Sequence, residues 1–207
     1  MKPYQKIESV FNRDKKTFKF IEGEWRLPEF EYLANNLWDC TEKLHGMNVR
    51  VIWDCEIVRV GGRTDRAQMP TRLFDKLAEL FPVNKFVEHY SDTSMCLYME
   101  GIGMGIQKGG SKYVADGVDV AVFDVLIDTW WLKRDDILDV ASKLDVPTAP
   151  PLGSLTLPEA VDMVKGGLAS VYGNFEAEGV VLRPQVGLIG RNGQRIIAKI
   201  KTSDFAL

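Results

Sequence analysis

The chain has 207 residues, 45% hydrophobic and 27% charged, enough for one well-buried domain or two small ones and unlike a disordered segment. A net charge of -3 supplies no global basic field, so contact with a polyanion would have to come from a local patch. No apolar run reaches the roughly 20 residues of a membrane span, and Met1-Lys2-Pro3-Tyr4 leads into charged residues rather than a signal sequence.

Three cysteines, Cys40, Cys55 and Cys96, lack C-x-x-C spacing and are odd in number, which argues against a structural zinc site and a disulfide framework. One soluble cytoplasmic domain with reduced cysteines is expected, and no membrane partner.

In chain order, Met47 to Asp54 alternates as a strand. Met47, Val49, Val51 and Trp53 share one face, and Asn48, Arg50, Ile52 and Asp54 share the other. Cys55 to Val60 pairs with it or extends it before Gly61-Gly62. From Pro70 to Phe81 the period turns helical, with Leu73, Phe74, Leu77, Leu80 and Phe81 on one side behind a proline suited to a first turn. Val118 to Asp128 alternates again and is expected to be a central strand. A second helix is expected over Leu132 to Leu144, buried through Ile137, Val140, Ala141 and Leu144. A third follows Thr156, whose hydroxyl forms a capping-box pattern with Glu159. Pro147 to Pro151 is the best linker, though too short for a domain boundary.

Glu178-Gly179-Val180-Val181-Leu182-Arg183-Pro184 sets a carboxylate at the head of an apolar strand. In Arg195 to Lys201, alternation turns Ile196, Ala198 and Ile200 toward a core and Lys199 and Lys201 to the opposite face, about 7 Å apart. By itself that pair fits either a solvated edge or a phosphate site. The pattern as a whole suggests a mostly antiparallel β architecture with a few helices packed on it.

The densest stretch is Thr41-Glu42-Lys43-Leu44-His45-Gly46-Met47-Asn48. Lys43 is a candidate nucleophile. An amine attacks only when deprotonated, and from an ordinary pKa of about 10.4 that takes desolvation or a second cation nearby, such as Lys199 or Lys201. Gly46 lets backbone approach a ligand, Asn48 can donate or accept at a ribose or phosphate oxygen, and His45 is either structural or a phosphate donor.

The order Lys43-Leu44-His45-Gly46, Phe123-Asp124, Glu178-Gly179-Val180-Val181, Lys199-Ile200-Lys201 resembles motifs I, III, IV and V of the covalent nucleotidyltransferases, which comprise RNA ligases, DNA ligases and mRNA capping enzymes. His45, where most of that superfamily has Asp, with Asn48 three residues on, is similar to the bacteriophage T4 RNA ligase 2 branch.

The resemblance implies an α+β nucleotidyltransferase (adenylyltransferase) domain of two antiparallel β-sheets flanking a nucleotide groove, with peripheral helices. It implies an ATP-dependent RNA ligase in which Lys43 carries AMP as a covalent adduct, AMP passes to an RNA 5′-phosphate, and a 3′-hydroxyl attacks to seal. In its terms His45 and Arg63 are catalytic, and Lys199 and Lys201 bind the α-phosphate. Glu42 contacts the adenine or is an exposed turn carboxylate. Gly46, Asn48 and Glu100 lie at the nucleotide, with Glu100 on the ribose. Phe123 stacks on the purine, and Glu178 holds Mg²⁺, or Mn²⁺ in its place.

A single domain over residues 1–207, monomeric and without a separate C-terminal nucleic-acid-binding domain, is the expectation. RNA would then rest on Lys108-Gly109-Gly110-Ser111-Lys112, Arg63, Arg66, Arg72 and the Lys2 to Lys19 region with Arg13, Lys15 and Lys16. The alternatives are a nucleotide-binding accessory module, or a nucleotidyltransferase for another acceptor, a DNA end or a GTP-dependent cap.

Overall fold

The computed structural model describes residues 3–205. Lys2, expected to contribute to an RNA footprint, lies outside them. In chain order the elements are β1 (Glu8–Ser9), β2 (Phe11–Arg13), β3 (Phe20–Trp25), α1 (Pro28–Tyr32), β4 (Trp38–Glu42), β5 (Met47–Trp53), β6 (Val58–Gly62), α2 (Thr71–Leu80) and α3 (Val83–Tyr90). They continue with β7 (Met95–Gly103), β8 (Val118–Ile127), β9 (Trp130–Trp131), α4 (Arg134–Lys143), β10 (Pro151–Leu155), α5 (Leu157–Lys165), β11 (Gly179–Pro184) and β12 (Ala198–Lys201).

The chain divides into two compact units. The first comprises residues up to Tyr4 and His45–Ala149, the second Gln5–Leu44 and the chain from Pro150 onward. One crossing, between Ala149 and Pro150, falls inside the expected linker.

The first unit is built on an antiparallel sheet in the order β6-β5-β7-β8-β9. Val49, Val51 and Trp53 are fully buried, as their alternation predicts, and join Leu73 and Leu77 of α2 and Ile137, Val140 and Ala141 of α4 in one core. Phe74 departs from the expected helix face and is 49% exposed. Leu73 and Leu77 are four residues apart and define the buried stripe, and Phe74 sits one step off it. Arg50 departs the other way: on the face opposite the core it is only 1% exposed, its Nε donating to Gly62 O at 2.8 Å and its Nη2 to Asp65 Oδ1 at 2.6 Å. The unexpected α3 brings Phe86 onto Trp53, ring centroids 5.4 Å apart and nearly parallel at 23°.

The alternation of β8 is not continuous. Tyr98 pairs with Asp124 and Met99 with Val122, so Phe123 is the extra residue of a β-bulge. The bulge resets the phase: Val120 and Val122 face the core before it, and Val125 does after it.

The second unit has a sheet in the order β1-β12-β11-β4-β10 and a separate β2-β3 hairpin, so the described residues form three sheets where two were expected. The pairing of β1 with β12 is parallel, a departure from the antiparallel expectation. Trp38, Cys40, Val180, Leu182, Ala198 and Ile200 form its core with Leu157, Ala160, Val161 and Val164 of α5. The α5 capping box is present: Thr156 N donates to Glu159 Oε2 at 2.8 Å, and Glu159 N donates back to Thr156 Oγ1 at 3.4 Å.

All three cysteines are free, and burial pushes the Cys40 thiol up to about 12, leaving it inert. Among the described residues no helix is long and apolar enough to cross a membrane.

Candidate active site

In the second unit, sheet order sets three candidate side chains side by side. Lys43 follows the last residue of β4, Glu178 precedes the first of β11, and Lys201 ends β12. Because β11 lies between the other two, with Val180 opposite Glu42 and Gly179 opposite Lys201, the three converge. Lys43 Nζ donates to Glu178 Oε2 at 2.7 Å, and Lys201 Nζ pairs with Glu178 Oε1 at 2.6 Å. The backbone fixes the same corner: Lys43 N donates to Gly179 O at 2.8 Å and Thr202 N to Glu178 O at 3.0 Å. Gly179 has φ +145°, and a Cβ there would run into the carbonyl oxygen of Ile200. Only glycine lets β11 start this close to β12.

Burial raises the Glu178 carboxyl, but Lys43 and Lys201 outweigh it and hold the group below the usual range. Lys199 is pushed down, first by burial and then by Lys201, Lys43 and Arg13. Two lysines on one carboxylate, with Lys199 within electrostatic reach of both, leave an excess of positive charge suited to phosphate oxygens. Glu42 is 2% exposed, which removes the exposed-turn alternative. Its Oε1 accepts from Ser170 Oγ at 2.6 Å and its Oε2 from Val171 N at 2.9 Å.

The first unit carries the remaining residues. Gly46 N donates to Glu100 Oε1 at 3.0 Å, and Asn48 is the cross-strand partner of Glu100. A Cβ on Gly46 would meet Gly101 O, so this glycine is required by strand packing. Asn48 Oδ1 is buried and has no hydrogen-bond partner among the described residues, an orphan acceptor aligned with a carboxylate. His45 is exposed, its backbone N–H donating to Tyr113 Oη at 3.2 Å. Arg63 is exposed just after β6, as are Arg66 and Arg72 further on. The bulge re-aims Phe123, which is half-buried and braced edge-on by Tyr4, centroids 5.0 Å apart at 77°. Tyr4 also donates its hydroxyl to Asp124 Oδ2 at 2.6 Å, pinning the residue after the bulge.

Three contributors, Tyr4, Ser170 and Asp204, went unseen in the sequence. Tyr4 and Ser170 act through contacts more than a hundred residues distant in sequence, and neither lies in a pattern. Buried Asp204 pairs with Arg13, a residue expected at the RNA surface, Nη2 to Oδ1 at 2.7 Å, while Asp204 Oδ2 accepts from Lys201 N at 2.9 Å. An Asp three residues after Lys201 is the only local sign of that cap.

A family model described as RNA ligase matches residues 36–201, from ahead of Lys43 through Lys201. The chain belongs to the RNA ligase family. Among curated proteins none matches. Similar solved structures are those of Naegleria gruberi RNA ligase. A lysine-to-alanine variant with ATP and Mn has a TM-score of 0.68 at 19% identity, over 84% of this chain and 52% of that one. An aspartate-to-alanine variant, apo, has a TM-score of 0.69 at 17% identity, over 95% and 57%. The form with pyrophosphate gives 0.66 at 21% identity, over 84% and 52%. This family member thus spans about half the length of the solved ligases it matches, and shares their fold.

Proposed function

We propose that this RNA ligase family member is an ATP-dependent RNA ligase whose nucleophile is Lys43. The observation that carries the reading is the Lys43–Glu178–Lys201 cluster with Lys199 beside it. Family membership supports it, as do the relatives solved with ATP, AMP or pyrophosphate.

Lys43 Nζ, oriented by Glu178, gives a proton to solvent water and attacks the α-phosphorus of ATP. A P–N bond forms, the bond from the α-phosphorus to the bridging oxygen breaks, and pyrophosphate leaves with the electron pair. Lys199 and Lys201 stabilise the charge that builds on the α-phosphate and the leaving group, an electrostatic contribution typical of phosphoryl transfer. Phe123 stacks on the purine, Glu100 and Asn48 take the ribose hydroxyls, and Glu42 supports the adenine end through the Ser170–Val171 loop. AMP then passes to an RNA 5′-phosphate, and a 3′-hydroxyl displaces it.

Glu178 is the carboxylate that would hold a divalent cation, which would share its oxygens with Lys43 and Lys201. Among the described residues no group of three or more His, Cys, Asp or Glu is set to cage a metal. One carboxylate beside substrate phosphates is how Mg²⁺ is commonly held. Bound there, Mg²⁺ or Mn²⁺ would neutralise phosphate charge; one relative was solved with ATP and Mn. Three free cysteines support a reducing, cytoplasmic setting, and a monomer is the simplest assembly for this scheme.

Incubation with α-labelled ATP and Mg²⁺ tests the reading. The expected result is a labelled band that survives denaturation and alkali and is released by acid, as a phosphoramidate is, absent in Lys43→Ala and absent with α-labelled GTP. Labelling by GTP in preference to ATP points to capping, and no labelling removes the enzyme reading. Sealing of a 5′-phosphorylated RNA, with DNA in parallel, then tests the acceptor.

A further inference from the structure

The turn between β2 and β3 holds Phe18 at φ +59°, the left-handed region that favours glycine, while leaving its ring 72% exposed. A strained backbone and a solvated aromatic at one residue, with no burial in return, call for a functional explanation. The turn is well defined. Asp14 Oδ1 accepts from Lys16 N at 2.9 Å, Thr17 N at 2.8 Å and Thr17 Oγ1 at 3.0 Å, and Asp14 O accepts from Phe18 N at 2.9 Å. Asp14 N closes the loop on Lys19 O at 2.9 Å. Beside the ring, Lys15 and Lys16 are both exposed.

The root of the hairpin is tied to the strand end that carries the catalytic lysines. Arg13 Nε and Nη2 donate to Asp204 Oδ1 at 3.1 and 2.7 Å, Lys19 Nζ donates to Ser203 O at 2.9 Å, and Asp204 Oδ2 accepts from Lys201 N. A ring and two ammonium groups are thus presented on a turn anchored within three residues of Lys201.

We propose that this hairpin tip docks a single-stranded segment of RNA, Phe18 stacking on one base and Lys15 and Lys16 taking the flanking phosphates. An exposed aromatic face among cations is the recognition chemistry of unpaired nucleic acid, whereas duplex RNA keeps its bases inside the stack. The proposal rests on the RNA ligase reading and extends it from the reacting end to the strand that leads away from it.

Fluorescence anisotropy of a labelled single-stranded oligoadenylate on the full chain tests it, with self-labelling by ATP in the absence of RNA measured alongside. Phe18→Ala should weaken binding about tenfold, the loss of one base–aromatic stack, and leave the salt dependence unchanged. Phe18→Tyr should restore it. Lys15→Ala with Lys16→Ala should weaken binding and flatten the slope of log affinity against log salt by about 1.4, two single-strand phosphates. Phe18→Gly should raise Tm by relieving the backbone, yet bind as weakly as Phe18→Ala.

Affinity for oligoadenylate indifferent to Phe18, or equal loss for duplex RNA, overturns the proposal. Self-labelling with Phe18-independent RNA binding sinks the hairpin and leaves the ligase. Phe18-dependent binding without self-labelling does the reverse.

Discussion

At the scale of single residues the account turns on Glu178, which joins Lys43 to Lys201 through its two oxygens. Glu178→Gln keeps the shape and removes the charge, and self-adenylylation is expected to fall by about 10²-fold, the usual loss of one preorganised electrostatic partner. The same variant reports on stability. The Glu178 carboxyl titrates below its ordinary value of 4.5 when folded. Its stabilisation is therefore complete above that value and drains away as pH falls through the folded one. Thermal melts across the acid range should show a steeper loss for the wild type than for Glu178→Gln.

Lys199 has the opposite sign. Its folded pKa lies below the ordinary 10.5, so its charge destabilises the folded state at neutral pH, and the penalty lifts as pH rises toward 10.5. Lys199→Met should raise Tm at neutral pH while abolishing adenylylation, with the Tm gain closing at alkaline pH. A fall in Tm at neutral pH would contradict this.

Among the elements, β8 and β11 place the chemistry through irregularities rather than through their regular parts. The bulge at Phe123 turns a ring out of a strand whose other apolar residues serve the core. Phe123→Ala should raise KM for ATP about tenfold, as the loss of one stack costs roughly 1–3 kcal/mol, with little change in kcat at saturating ATP. Gly179→Ala asks for a Cβ where Ile200 O already sits, at φ +145°. It should displace Glu178 and lower adenylylation at least tenfold though Lys43 is intact, a shift of about 1.4 kcal/mol in the barrier.

These irregularities were the part the sequence concealed. Alternation over Val118 to Asp128 looks continuous because valines occupy both phases across the bulge, at Val120, Val122 and Val125. The helices α2, α4 and α5 were legible because each shows at least two turns of apolar period or a capping pair. The five residues of α1 and eight of α3 are too short for a period to stand out.

At the scale of the molecule, two cores and two units share the candidate residues, and one crossing runs between Leu44 and His45, through the most informative motif of the chain. No shift in composition marks that boundary, since candidate site residues lie on both sides of it. Glu178 was linked to Lys43 and Lys201 before the structure only by resemblance. Spacing says nothing about residues 135 positions apart, and β11 lying between β4 and β12 is what brings them into contact.

That Lys43 is the residue which takes AMP from ATP is read out by intact-mass and peptide mapping after incubation with ATP and Mg²⁺. The account predicts one added AMP, on the peptide carrying Lys43, released as ATP when excess pyrophosphate is supplied. An unmodified chain, or AMP attached at any other residue, would contradict it.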